Sequence, residues 1–261
     1  MQKQPVLFIG HGSPRNAIDE SGFSKALKEY GRSLRFNIPK VILCVSAHWF
    51  EDRFFITQNE NSDIIYDFFG FKNDLSQFKY KYKGSKFWAQ KIKEVFQSEQ
   101  IEYDEERGID HGVWSVLAHL FPDADVPVVQ MSMNKNFGLE EHFRFYAKLR
   151  SLRNEGVLMI GSGNIVHSFA GLRENIDAKP YDWAYVFDEK VKKCILNYSI
   201  DELIHYENIG DCAKQSVPTL EHYLPLIFSM SLKEKNDKIC FIYEGFQFSS
   251  MSMRSFAITD E

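Results

Sequence analysis

Histidine is where this 261-residue chain concentrates its chemistry; it has eight. His11 stands in Phe8-Ile9-Gly10-His11-Gly12-Ser13-Pro14, just after residues 5–9, an unbroken apolar run that reads as a buried strand. His48, in Ser46-Ala47-His48-Trp49, follows a second such run over 40–46. His167 comes shortly after a third, 157–160, which ends in Gly161-Ser162-Gly163-Asn164. His111 lies in the loop Gly108-Ile109-Asp110-His111-Gly112, and His222 opens a helix expected over 219–230. Three of these five leave strands of one type, and ligands of open α/β sheets gather at that edge. Neutral imidazole is the commonest transition-metal ligand and suits iron and zinc alike. Three protein ligands with open positions make a catalytic site rather than a structural one. The plain alternative is a set of turn histidines with no shared role. His119, His142 and His205 lie inside helical stretches without glycine neighbours and are assigned to packing or surface.

The elements that must position these side chains follow from periodicity. Helical spacing is expected from about residue 18, over 86–96 with Phe87, Trp88, Ile92, Val95 and Phe96 on one face, over 113–120, over 138–152 and over 181–196. Strands are expected at 5–9, 40–46, 53–57, 126–131, 157–160, 239–243 and 251–258. Strands alternating with helices predict a three-layer α/β/α sandwich with a mostly parallel or mixed central sheet, formed by one catalytic domain over residues 1–261. The segment 58–71 reads as a loop carrying Asp67-Phe68-Phe69-Gly70-Phe71.

Composition removes several function classes. The formal net charge is -5 and no long basic run appears, so neither nucleic acid nor an anionic membrane is expected as a partner. Lys79-Tyr80-Lys81-Tyr82-Lys83 reads as a solvated edge rather than an RNA contact. No apolar stretch approaches the roughly 20 residues of a membrane span. The N-terminus lacks the pattern of a signal peptide. Cys44, Cys194, Cys212 and Cys240 form no C-x-x-C pair and read as reduced, mostly packing thiols, which suits a cytoplasmic protein.

Other chemistries leave weaker traces. Gly161-Ser162-Gly163-Asn164 lacks the lysine of a phosphate loop, Ser13 and Ser162 lie outside G-x-S-x-G, and no H-E-x-x-H occurs. Asp110 and Glu244 flank turn glycines and are candidates to orient a histidine from behind.

Six motifs occur in a fixed order: GHGSP at 10–14, SAHWF at 46–50, DHGVW at 110–114, GSGNIVH at 161–167, PTLEHYLPL at 218–226 and EGFQFSSMSMRS at 244–255. The set resembles the class III extradiol ring-cleavage dioxygenases, in particular the single-chain DOPA-dioxygenase branch, nearly end to end. The resemblance implies one divalent metal, Fe(II) for ring cleavage, with Zn(II) expected in purified protein. His11, His48 and His222 match the metal-ligand positions. His167 matches the histidine beside the metal, as acid/base or as a fourth ligand, and His111 the one near substrate and dioxygen. Glu221 is the rival third ligand, since many iron sites use two histidines and a carboxylate. The implied partners are a catechol and O2, and oligomeric state stays open. Two alternatives share the scaffold: a zinc-dependent hydrolase and a non-catalytic metal-binding protein. Relatives usually carry histidine where Tyr66 stands, a proline-rich segment in place of Lys81-Tyr82-Lys83-Gly84, and often glycine in place of Ser249. Tyr66 and residues 79–83 are therefore expected to shape specificity and leave metal binding alone. Phe68, Phe69 and Trp49 are candidates for an apolar pocket wall, although Trp49 suits the core equally.

Overall fold

The computed structural model describes residues 2–70, 73–97 and 100–260. Its strands are β1 Val6–Gly10, β2 Val41–Glu51, β3 Phe54–Thr57, β4 Ile101–Asp104, β5 Val128–Asn134, β6 Val157–Gly163, β7 Lys238–Tyr243, β8 Phe246–Gln247, β9 Met251–Ser252 and β10 Ser255–Thr259. Eight of them form one sheet in the order β4-β3-β5-β2-β6-β1-β10-β7, and β8 pairs with β9 in a small hairpin. The centre, β5-β2-β6-β1, is parallel, while β10 and β7 close one side antiparallel. The sheet is mixed, as expected.

The helices are α1 Gly22–Leu34, α2 Asn73–Ser76, α3 Lys86–Glu94, α4 His111–Leu120, α5 Leu139–Tyr146, α6 Leu152–Glu155, α7 Asp182–Asn197, α8 Ile200–Ile204, α9 Cys212–Ser216 and α10 Leu224–Ser231. Strand side chains alternate between two cores. Val6 and Phe8 of β1, with Val41, Leu43 and Val45 of β2, face the helices α3, α5, α7 and α10. Leu7 and Ile9, with Ile42 and Cys44, face α1 and α4. Both faces are covered, which is why the central strands read as continuous apolar runs. The result is the three-layer sandwich that the alternation predicts.

Several boundaries differ from expectation, each for a local reason. The first helix begins at Gly22, not near Ile18, because Ser21 and Ser24 cap it reciprocally. Strand β2 runs on to Glu51, so His48 lies within a strand rather than after one. The helix expected from Thr219 begins at Leu224. The Thr219 hydroxyl bonds Glu221, and Pro225 takes the first turn, where its missing N–H costs nothing. His222 therefore sits in the turn ahead of α10. Phe87 is 61% exposed, while Trp88, Ala89 and Ile92 carry the buried face of α3. Strand β4 and the short helices α8 and α9 were not expected. The four cysteines are free, with Cys240 exposed and Cys44 buried. No helix among the described residues is long and apolar enough to cross a membrane.

Candidate metal centre

Three neighbouring strands form the floor of one cleft: β6 and β1 end there, while β2 passes level with them at Ser46 and runs on to Glu51. Ser46 of β2 is in register with Ser162 of β6, and Gly10 of β1 with Gly163. His11 follows β1 directly, its N–H bonded to Gly163 O at 3.1 Å. Beyond Ser46 the pairing of β2 shifts register before Phe50, and His48 lies in that irregular stretch. The turn carrying His222 is drawn onto β6 by Asn164 N–H, which donates to His222 O at 2.8 Å. A Cβ on Gly163 would stand 2.3 Å from that oxygen, so only glycine permits the approach. Gly12 has φ +60, a left-handed conformation that glycine adopts without steric cost.

The fold gathers five of the eight histidines here. Ring centroids lie 5.1 Å apart for His11–His48, 5.4 Å for His11–His222, 5.1 Å for His48–His222 and 3.9 Å for His48–His111. One ring nitrogen each from His11, His48 and His222 lies within 4.8 Å of the others. The remaining three histidines stand apart. His119 meets Asn16 O at 2.6 Å, His142 Nδ1 meets Gly138 O at 2.9 Å, and His205 is exposed near Asp201.

Hydrogen-bond partners assign the protons on the three clustered rings. Ser162 spends its one hydroxyl hydrogen on Gly112 O at 2.5 Å, so at 3.0 Å its oxygen accepts from His11 Nδ1–H. Asp67 Oδ2 lies 3.2 Å from His48 Nδ1, and Glu221 Oε1 lies 3.3 Å from His222 Nδ1. A carboxylate only accepts, so the hydrogen-bonded His222 Nδ1 carries hydrogen. Asp67 Oδ2 makes no hydrogen bond among the described residues, but its negative charge beside His48 Nδ1 favours hydrogen there too. Each ring is left with a lone pair on Nε2. His222 Nε2 is buried without a partner, and the Nε2 atoms of His11 and His48 face each other at 3.1 Å. Lone pairs aimed at one another repel unless a cation lies between them. Ligand nitrogens sit about 2.0–2.2 Å from a zinc-like ion, which puts two of them about 3.0–3.5 Å apart. The donor set fits a divalent metal.

The electrostatics agree. Burial, then the neighbouring His48 and His222, hold His11 well below the ordinary imidazole range. Burial, followed by His167 and His48, does the same to His222. His48 is lowered to about 4, by burial first and then by His111. Neutral imidazoles are the form that binds metal. Burial by itself would raise the Asp67 carboxyl, but contact with His111 and the charge of His48 outweigh it and hold it at about 2.

Asp67 is a participant that the sequence did not single out. Its carboxylate accepts His111 N–H at 3.0 Å, lies 3.0 Å from His111 Nδ1 and reaches His48 as well. Its signal in the sequence was only an acid beside two phenylalanines. The two carboxylates expected in that orienting role are elsewhere. Asp110 stands at the N-terminal boundary of α4 but spends its carboxylate on Ser46 and Gln130 rather than on a cap, while Glu244 pairs with Arg254 and Lys192. Glu221 lies behind His222, on the Nδ1 side, away from the clustered nitrogens.

His167 stacks face to face on His222, with centroids 3.5 Å apart and planes 4° from parallel. A metal in the plane of one ring would lie far above the plane of the other, so this stack does not suit a shared ion. Burial, then His48, lowers His167 to about 4, below the near-neutral value expected of a free imidazole.

The histidines open into a cavity of about 610 Å³ walled by Phe68, Phe69, Phe169, Phe248 and Met251, among others. Trp49 is not part of it; it is buried beneath Arg107, whose guanidinium lies 4.5 Å from the ring centre. Tyr66 and residues 79–82 line a separate depression. Tyr66 donates to Phe78 O at 2.6 Å and meets the cavity wall only through Phe68. Tyr80 and Tyr82 point inward while Lys79, Lys81 and Lys83 point to solvent, the alternation of an extended segment. Among the described residues, Tyr66 and residues 79–83 do not line the histidine cavity, so an influence on specificity would be exerted through Phe68. Phe71 lies outside the described residues.

Residues 5–250 match the family model described as the catalytic LigB subunit of aromatic ring-opening dioxygenase. The chain belongs to this family. It is 35% identical over 260 residues to the 4,5-DOPA dioxygenase extradiol of Escherichia coli K12, covering 98% of this chain and 95% of that one. It is 36% identical to the protein of the same name from Beta vulgaris, covering 97% and 96%. The crystal structure of an uncharacterized Escherichia coli K12 protein, JW3007, superposes with a TM-score of 0.85 at 33% identity, covering 98% of this chain and all of that one. Family membership makes the chain an extradiol ring-opening dioxygenase.

Proposed function

We propose that residues 1–261 form one catalytic domain that opens a catechol ring beside its hydroxyls, using O2 and an Fe(II) ion held by His11, His48 and His222. One observation carries this reading: two buried imidazoles and one half-buried one turn Nδ1 toward Ser162, Glu221 and Asp67 respectively, leaving three lone pairs to converge. Fe(II), when bound, would supply the redox change that lets catechol and dioxygen react, which zinc lacks.

The chain's own residues do the rest. His167 is neutral at pH 7 and, among the described residues, its ring makes no hydrogen bond, so its nitrogens are free to take a proton from a catechol hydroxyl and return it later. His111, held at Nδ1 by Asp67, has Nε2 left to accept a hydrogen bond from a substrate oxygen. Phe68 and Phe248 supply apolar walls that displace water and seat an aromatic ring. A cytoplasmic setting is part of the proposal and suits the reduced thiols.

The test is anaerobic Fe(II) loading followed by a catechol panel with an oxygen electrode. Oxygen uptake with a yellow ring-opened product is the expected result. Zinc-supported turnover without oxygen, or no turnover with any metal, would overturn the reading.

A further inference from the structure

Apart from the histidines, the cavity lining is mostly apolar, with Ser13, Asp67, Arg173 and Glu174 as its other polar side chains; Asp67 is turned to His48 and His111. Among the described residues that line it, Arg173 is the only lysine or arginine. Several arginines and lysines near the surface are paired: Arg15 with Asp19, Arg35 with Asp123 and Asp125, Lys192 with Glu244. Arg173 has no side-chain hydrogen bond and no carboxylate partner among the described residues. It is nevertheless held in place. Its guanidinium lies 4.8 Å from the centre of the Tyr181 ring, and Tyr181 is itself anchored by its hydroxyl, which donates to Gly171 O at 2.7 Å. The Arg173 backbone N–H donates to Phe248 O at 3.3 Å, tying the residue to a cavity-wall segment. Stacking on an aromatic face leaves the N–H edge of a guanidinium available, and that edge matches a carboxylate with two parallel hydrogen bonds.

We infer that Arg173 determines specificity by binding an anionic group on the side chain of the catechol, with the diol at the histidine end of the cavity and the anion at its mouth. This rests on the proposed catechol chemistry and adds a charge requirement at the end of the substrate remote from the diol. Arg173 touches only that remote group, so its loss weakens binding and spares the bond-making step.

The experiment compares wild type, Arg173→Gln and Arg173→Lys on three substrates: 3,4-dihydroxyphenylacetate, 4-methylcatechol and dopamine. For Arg173→Gln the expected result is a rise in KM of about 10-fold for the anionic catechol, with kcat within about twofold and 4-methylcatechol unaffected. Arg173→Lys should recover part of the loss, since charge remains while the planar fork is gone. An equal fall on the anionic and neutral catechols would make Arg173 a structural residue and overturn the assignment. So would no change on either. A wild-type preference for dopamine over the anionic catechol would point to the neighbouring Glu174 instead and overturn it too. Calorimetric binding without oxygen separates the two readings. If no ring is opened but wild type still binds the anionic catechol more tightly than the neutral one, and Arg173→Gln erases that difference, Arg173 stands and the dioxygenase reading falls.

Discussion

The floor and the mouth of the cavity are built by opposite means. At the floor, His11 and His222 are 1% and 7% exposed, each held by neighbours on more than one strand or turn. At the mouth, Phe69 and Phe169 are 97% and 67% exposed, on loops rather than on the sheet. Buried, hydrogen-bonded groups on strand ends keep one geometry, whereas loop residues tolerate exchange. On the proposed function, chemistry belongs to the sheet edge and substrate choice to the loops. Asp67 is the exception that joins them, since it sits on the Phe68–Phe69 loop and contacts two histidines of the floor.

The largest effect expected within this comparison is at His48. His48→Ala should lose metal and turnover together, while His167→Ala should keep its metal and lose about 10²–10⁴-fold in turnover. Metal per chain and single-turnover ring cleavage, read at equal folded fraction, decide it. Metal loss in His167→Ala as complete as in His48→Ala would make His167 a ligand and merge the two roles.

Asp67→Asn sharpens the line between floor and mouth. An amide in place of the carboxylate weakens the hold on His48 Nδ1–H, and outer partners of ligating histidines typically contribute about 10–100-fold in metal affinity. A competition titration with a chelator measures it. Unchanged affinity with an altered substrate ranking would return Asp67 to the mouth alone.

The pH dependence of the metal-free protein comes next. His48, His167 and His142 titrate at about 4 in the folded chain, because burial disfavours the charged ring. Unfolded histidine titrates near 6.5. Between about 4 and 6.5 the unfolded chain therefore binds more protons, and stability rises with pH across that window. It is complete above 6.5 and falls as pH drops toward 4. Thermal melts from pH 7 to pH 4 should show a Tm lower by several degrees at the acid end. His142→Gln, remote from the floor, should remove part of the slope; a flat profile in wild type would contradict the burial of these rings.

The smallest expected effect is a gain. Ser249 holds φ +69 in the tight turn between β8 and β9, and its buried hydroxyl has no partner. Ser249→Gly should stabilise by about 1 kcal/mol, through relief of left-handed strain and of an unpaired polar group. Urea melts would show it as a higher midpoint at constant slope. The family's frequent glycine here now has a conformational reason, and the turn carries Phe248 into the cavity.

Much of the architecture was legible because its signals are local. Unbroken apolar runs marked β1, β2 and β6, and glycines beside His11 and His111 marked close approaches. What misled was tertiary competition with local preference. Thr219 looked like a helix cap, but its hydroxyl is engaged by Glu221 and Pro225 sets the start of α10. Phe87 fits a helical apolar face, yet Trp88, Ala89 and Ile92 take the buried side of α3 and leave Phe87 61% exposed. Tyr66 departs from the family pattern in a loop, but that loop turns it against Phe78 and Trp114, not into the cavity.

By itself the sequence determined the layered α/β class, the placement of His11 directly after β1 and, through six ordered motifs, the family. Those depend on residue type, periodicity and spacing, which a linear chain displays in full. Only the tertiary structure decided which nitrogens face one another, which carboxylates stand behind them and which residues reach the cavity. Asp67 and His111 are 44 positions apart and His11 and Ser162 are 151 apart, so their pairing exists only once β1, β2 and β6 lie side by side. The same closure brings Phe169, Leu172, Arg173 and Glu174 to line the cavity into which His11, His48 and His222 open. No local rule assigns a proton to one ring nitrogen; the partner across the fold does.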